Sequence, residues 1–257
     1  MKIALITGGQ PRFTSDFITL MDQLTGFDSA DIYMALWKSD WANDEAVARI
    51  KIEKVLRPRY KLAKVKLIDE PVHDLPPHPV PLDPPSPENI QWWYQRTASQ
   101  LTSNTMAFDL IDQQYDVVIK FRLDGRLESN LDLQSLDLVT NKLISPFDGW
   151  NGPTGKSASD QFIIGTQEGM RLFCGLGREF KELIPIVDPT WYQMTAYPGY
   201  SALHRGPWST EALLVTYLKK YNEVPAFGNF QHVFNTKGRS RFTDKHYHHP
   251  IVPDPTE

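Results

Sequence analysis

Cysteine is nearly missing: Cys174 is the only one in 257 residues, which excludes a disulfide framework within the chain. Its small neighbours, Gly175 and Gly177, predict a buried thiol in a reducing compartment rather than a nucleophile. Long apolar runs are missing as well. No stretch approaches the about 18 to 20 residues needed to cross a bilayer, and the opening run Ile3-Ala4-Leu5-Ile6 is too short for the apolar region of a secretion signal. Lipidation signatures are absent from both ends. Together these absences predict a soluble cytoplasmic protein with no transmembrane segment. Nor is there a surplus of positive charge: the formal net charge is −4, so no global field favours nucleic acid or an anionic membrane as a partner. Only a local basic cluster is left to recognise phosphate.

What is present is enough apolar side chain, 41% of residues, to bury one substantial core. Residues 2–7 form a short apolar run that ends in Gly8-Gly9-Gln10-Pro11, a turn signal. Thr14, Ser15 or Asp16 can then cap a helix carrying Phe17, Leu20, Met21 and Leu24 on one face. Strands are predicted at 31–36 and 63–68, with a helix over 43–56 between them. This alternation predicts an α/β fold with a largely parallel sheet, whose ligand crevice lies beyond the carboxyl ends of the strands.

Residues 71–87 hold eight of the chain's 20 prolines, too many for a regular element, and read as an insertion within one domain spanning 1–257. A polar tail follows from position 243. The recurrence of Ile90, Trp93 or Tyr94, Thr97, Leu101, Phe108 and Ile111 predicts a long helix over 89–113. It feeds the best strand of the chain, 115–121. Two more strands, 142–145 and 161–165, flank a glycine-rich loop suited to act as a lid, and helices are predicted from Thr166 and from Ser209.

At the end of the 115–121 strand stand Arg122, Asp124 and Arg126. Phosphate needs cations or N–H groups, and a metal bridging a diphosphate needs oxygen ligands; strand ends preorganise both. If the strand continues, alternation throws all three side chains to one side. A salt-bridged strand end is the bland alternative, and on the triplet alone both readings stay open.

The run Tyr115-Asp116-Val117-Val118-Ile119-Lys120-Phe121-Arg122-Leu123-Asp124 resembles a strand of GT-A-type glycosyltransferases, in which Tyr-Asp and three apolar residues precede Arg-x-Arg-x-Asp. It is most similar to the bacterial group related to WavE lipopolysaccharide-synthesis proteins. The helix with Gln91, Trp92, Tyr94 and Gln95, the segment from Ser159 to Thr166, and the glutamate-led helix from Ser209 resemble that group in the same order, over residues 2–227. The resemblance implies one GT-A-like, Rossmann-related domain with a mixed, mostly parallel sheet flanked by helices. It implies a hexosyltransferase-type enzyme that moves a sugar from a nucleotide-sugar donor to a saccharide or glycan acceptor.

Under that resemblance Gly8, Gly9, Arg12, Gln91, Arg96, Arg122 and Arg126 contact the nucleotide-sugar, and Asp124 stands at the metal-binding Asp-x-Asp. The pattern departs at Arg126, which replaces a second carboxylate, and at Lys120, where arginine is usual. Either Asp124 holds Mn²⁺ or Mg²⁺ with phosphate oxygens and water, or Arg122 and Arg126 supply the positive charge themselves.

Asp160 and Glu211 are the candidates for general base, since deprotonating a sugar hydroxyl needs a positioned carboxylate. Glu211 is equally explained as an acidic residue at a helix start. Trp150, in the glycine-rich loop, is the aromatic expected to stack on a sugar ring. His246, His248 and His249 read as a solvated tail. A degenerate, non-catalytic nucleotide- or glycan-binding protein is the main alternative; a dinucleotide oxidoreductase is disfavoured because Gly8-Gly9-Gln10-Pro11-Arg12 lacks the three-glycine spacing.

Overall fold

The computed structural model describes residues 1–74, 87–146, 151–152, 155–156, 160–188 and 210–234. In chain order it opens with β1 (Ile3–Gly9), α1 (Ser15–Gln23), the two-residue β2 (Leu24–Thr25), β3 (Ala30–Trp37), α2 (Glu45–Glu53) and β4 (Tyr60–Ile68). There follow the 23-residue helix α3 (Pro87–Asp109), β5 (Val117–Lys120), β6 (Gly125–Leu127), β7 (Leu131–Asp132) and β8 (Leu143–Pro146). The last part contributes the short pair β9 (Asn151–Gly152) and β10 (Gly155–Lys156), then β11 (Ile163–Gly165), α4 (Gln167–Leu183), α5 (Thr210–Lys220), β12 (Ala226–Gly228) and β13 (His232–Phe234).

Seven of these strands make the central sheet, in the order β12-β8-β11-β5-β1-β3-β4. All neighbours run parallel except β11, which is antiparallel to both β5 and β8. The fold is therefore α/β with a mixed, mostly parallel sheet flanked by helices, compatible with a single Rossmann-like domain. Helices cover both faces, so β1 and β5 are apolar almost throughout rather than alternating. Ala4, Ile6 and Val118 point to a core shared with α3, α4 and α5; Ile3, Leu5, Val117 and Ile119 point to the core shared with α1 and α2.

Local chemistry sets the helix starts. Asp44 accepts from the amides of Ala46 and Val47 at the start of α2, and Thr166 accepts from Gly169 at the start of α4. Pro87 opens α3, where its missing N–H costs nothing. Cys174 is buried in the α4 core, and burial pushes its thiol up to about 12. Among the described residues no helix is long and apolar enough to cross a membrane.

The chain leaves β1 toward β3 and β4, then returns to place β5 on the other side of β1. The strand order thus reverses between β1 and β5, and a crevice opens outside their carboxyl ends. The condition for a shared face of Arg122, Asp124 and Arg126 is not met. The strand does not continue through Arg126: β5 ends at Lys120, residues 123 and 124 turn, and β6 starts at Gly125 on a different sheet with β13. The side chain of Gln23 brackets Leu127, donating to its carbonyl at 2.7 Å and accepting from its amide at 2.9 Å, and so draws β6 toward α1.

Candidate functional site

A cavity of about 850 Å³ occupies the crevice. The β1–α1 loop brings Gly8, Gly9 and Arg12; the turn after β5 brings Arg122 and Asp124; α3 brings Gln91 and Arg96. These residues, expected at a nucleotide-sugar site, come together from three separate parts of the chain.

The two glycines act differently. Gly8 is where α3 lies against the sheet: a Cβ there would sit 2.2 Å from the Ser103 carbonyl oxygen and 2.8 Å from the Asn104 nitrogen. At Gly9 a Cβ would meet only the Trp37 ring, at 3.9 Å, but the φ of +107° is one that an L side chain resists. The loop is then tied to the β5 turn through Thr14, whose amide and hydroxyl both point to the Leu123 carbonyl at 3.3 Å. Phe13 anchors it from behind, stacked on Trp41 at 4.7 Å between ring centroids.

Arg122 and Asp124 form a bidentate pair, Nε and Nη2 donating to the two carboxylate oxygens at 2.7 Å each. Burial opposes the charge on Arg122, but the Asp124 pair and the nearby Asp160 carboxylate hold the guanidinium above its ordinary value. Both Asp124 oxygens are thus directed to a cation of the protein itself. Asp16 is the neighbouring carboxylate; burial raises its pKa, Arg126 lowers it and Asp124 raises it further. This set does not fit a Mn²⁺ or Mg²⁺ site of the Asp-x-Asp kind, because one carboxylate is held by a guanidinium. Among the described residues no group of three or more His, Cys, Asp or Glu side chains is arranged to hold a metal.

Arg126 does not line the cavity. Its side chain is exposed and faces Asp16 at 3.5 Å, a consequence of the turn that ends β5. Asp160 is also absent from the lining. It is buried one residue behind the wall, its Oδ2 accepting from Gln100 Nε2 at 2.8 Å and its carbonyl accepting from Lys120 Nζ. Glu211 lies in the first turn of α5, with its side chain outside the described residues, and Trp150 lies outside them altogether, as does most of the expected lid.

Beside Arg96, the cavity contains lining residues that the sequence did not point to, among them Lys120, Trp37, Gln100 and Asn104. Lys120 is 2% exposed at the end of β5, and burial lowers its pKa to about 8 against the pull of Asp160. Along α3, Trp92, Arg96, Gln100 and Asn104 recur every four residues, a slanted polar stripe opposite the apolar one, and all four line the cavity. The Arg96 guanidinium stacks over the Trp92 ring at 4.6 Å. Trp37, at the end of β3, is fixed by its Nε1 donating to Ser103 Oγ at 2.8 Å.

Gln91 and Gln95 serve the chain as well as the cavity. Gln91 donates to the His73 carbonyl at 3.2 Å, while Gln95 accepts from the His73 amide at 2.8 Å and donates to the Pro71 carbonyl. They strap the segment after β4 onto α3. That segment contributes Glu70 and Val72 to the rim.

The chain matches no protein-family model and no curated protein sequence at a significant level. What can be said of function therefore rests on this site. Its described lining holds four cationic side chains, Arg12, Arg96, Arg122 and Lys120, beside the carboxylates Glu70 and Asp124, and two aromatic faces, Trp37 and Trp92.

Proposed function

We propose that the cavity binds a nucleotide-sugar and that the protein transfers the sugar to a saccharide or glycan acceptor. The observation that carries this reading is the convergence of four cationic side chains and two tryptophans on one crevice at the point where the strand order reverses. A nucleoside diphosphate has the matching parts, a flat base for an indole and a charged linkage for guanidinium groups.

In this reading an acceptor hydroxyl oxygen forms a bond to the anomeric carbon, the bond from that carbon to the diphosphate oxygen breaks, and the electron pair leaves with the diphosphate. Arg122 and Arg12 stabilise the charge as it develops, the role a metal plays elsewhere. Asp124 keeps Arg122 in position. Asp160, behind the wall, is a positioning residue for Lys120 and Gln100. Glu70, the other carboxylate among the described lining residues, is in this reading the base that takes the acceptor's proton.

A binding protein without turnover is the second reading, favoured by one observation: the expected base, Asp160, is buried behind the lining, with its carboxylate accepting from Gln100. Incubation with a panel of nucleotide-sugars and oligosaccharide acceptors separates the two. Release of nucleoside diphosphate with a glycosylated product supports transfer; tight binding without release supports the second reading; the absence of both rejects the proposal.

A further inference from the structure

Two buried polar side chains at the cavity floor lack the partners that burial demands. Asn104 is 4% exposed, and its Oδ1 accepts no hydrogen bond from any described residue. Lys120 donates to the Asp160 carbonyl and to no other acceptor among the described residues, which leaves two of its three N–H groups open. Such groups are costly to bury unless something else satisfies them. They also share a neighbourhood. Asn104 is one turn along α3 from Gln100, whose amide holds the Asp160 carboxylate, and Asp160 in turn holds Lys120. Both line the same cavity.

The missing partner must give a proton to an amide oxygen and a lone pair to an ammonium. An ionised phosphate oxygen does only the second. Adjacent hydroxyls on a sugar ring do both, and a hydroxyl also satisfies the amide if it turns its NH₂ inward. We propose that Asn104 and Lys120 form a subsite that reads adjacent hydroxyls of the transferred sugar. The proposal rests on the nucleotide-sugar reading above and names the part of the ligand that reaches the floor. Phosphates then lie nearer Arg12 and Arg122, and the base nearer the tryptophans.

The test is isothermal titration of UDP and GDP, each beside UDP-glucose, UDP-galactose and GDP-mannose, into the parent protein, Asn104→Leu and Lys120→Met. One sugar nucleotide should bind the parent more tightly than its free diphosphate. Asn104→Leu should reduce that ratio roughly tenfold, the equivalent of about 1.4 kcal/mol, while leaving the diphosphate's own affinity unchanged. Lys120→Met should also reduce the ratio. Asn104→Leu should melt at a higher temperature than the parent, which separates lost recognition from lost folding. Equal losses for sugar nucleotide and diphosphate in Asn104→Leu, or no sugar preference in the parent, overturn the subsite while leaving the nucleotide reading intact. If neither class binds the parent, the nucleotide reading fails and the subsite falls with it.

Discussion

Replacing Lys120 by methionine should make the folded protein more stable at neutral pH, although it removes a hydrogen bond. Methionine keeps the length of the side chain and discards the charge. Burial lowers Lys120 from 10.5 to about 8. Below pH 8 the amine is protonated in both folded and unfolded chains, and the folded state carries the whole cost of the buried charge, about 3 kcal/mol. Between pH 8 and 10.5 the unfolded chain binds the proton and the folded one does not, so stability rises with pH; above 10.5 the difference is gone. Against the gain stands the Asp160 carbonyl, which loses its donor at a cost of about 1 to 2 kcal/mol. The net expectation is a gain of about 1 to 2 kcal/mol at pH 7. Urea unfolding of both proteins at pH 7 and pH 9.5 measures it, and the gap between them should shift by about 2 kcal/mol in the parent's favour at the higher pH. Parallel pH profiles, or a variant less stable than the parent at pH 7, would refute the reasoning.

Gly8→Ala places a methyl group against the backbone of α3, which cannot swing away as a side chain can; a loss of about 3 kcal/mol or more is expected in denaturant melts. Arg126→Ala removes an exposed group that faces Asp16, so it should change stability by no more than about 1 kcal/mol and nucleotide affinity by less than about twofold. A larger affinity loss would return Arg126 to the site. Cys174, buried and with its thiol pushed up to about 12, should resist an aromatic disulfide reagent at pH 8 and react fully once the chain is unfolded.

The sheet was legible because burial on both faces writes itself as uninterrupted apolar runs such as Ile3-Ala4-Leu5-Ile6 and Val117-Val118-Ile119. β12 and β13, three residues each, carry too few side chains for any period to be read. The path after β5 depends on a tertiary contact that no local pattern contains: Gln23, more than one hundred positions away, holds Leu127 at both its amide and its carbonyl. Gly8 and Arg12 were expected at the site through the family resemblance, on a turn signal after β1 that many structural turns share; the demand on Gly8 comes from α3, which that signal does not contain.

The polar stripe Trp92, Arg96, Gln100 and Asn104 was present in the sequence as a four-residue repeat. Of these four only Arg96 was expected at the site; Gln100 and Asn104 lie on a polar helix face, which ordinarily means solvent. In the sequence Lys120 is a departure from an arginine; its burial and its bond to the Asp160 carbonyl are tertiary facts that no local pattern contains.

The most direct measurement is titration calorimetry of UDP-sugars and GDP-sugars in EDTA and again in excess Mn²⁺, with the parent, Arg12→Ala and Arg122→Ala. If the arginines bind the diphosphate, at least one sugar nucleotide binds in EDTA, Mn²⁺ leaves its affinity unchanged, and each variant loses roughly thirtyfold, about 2 kcal/mol for a charge-assisted contact. Binding that appears only with Mn²⁺, or survives both substitutions undiminished, would contradict it.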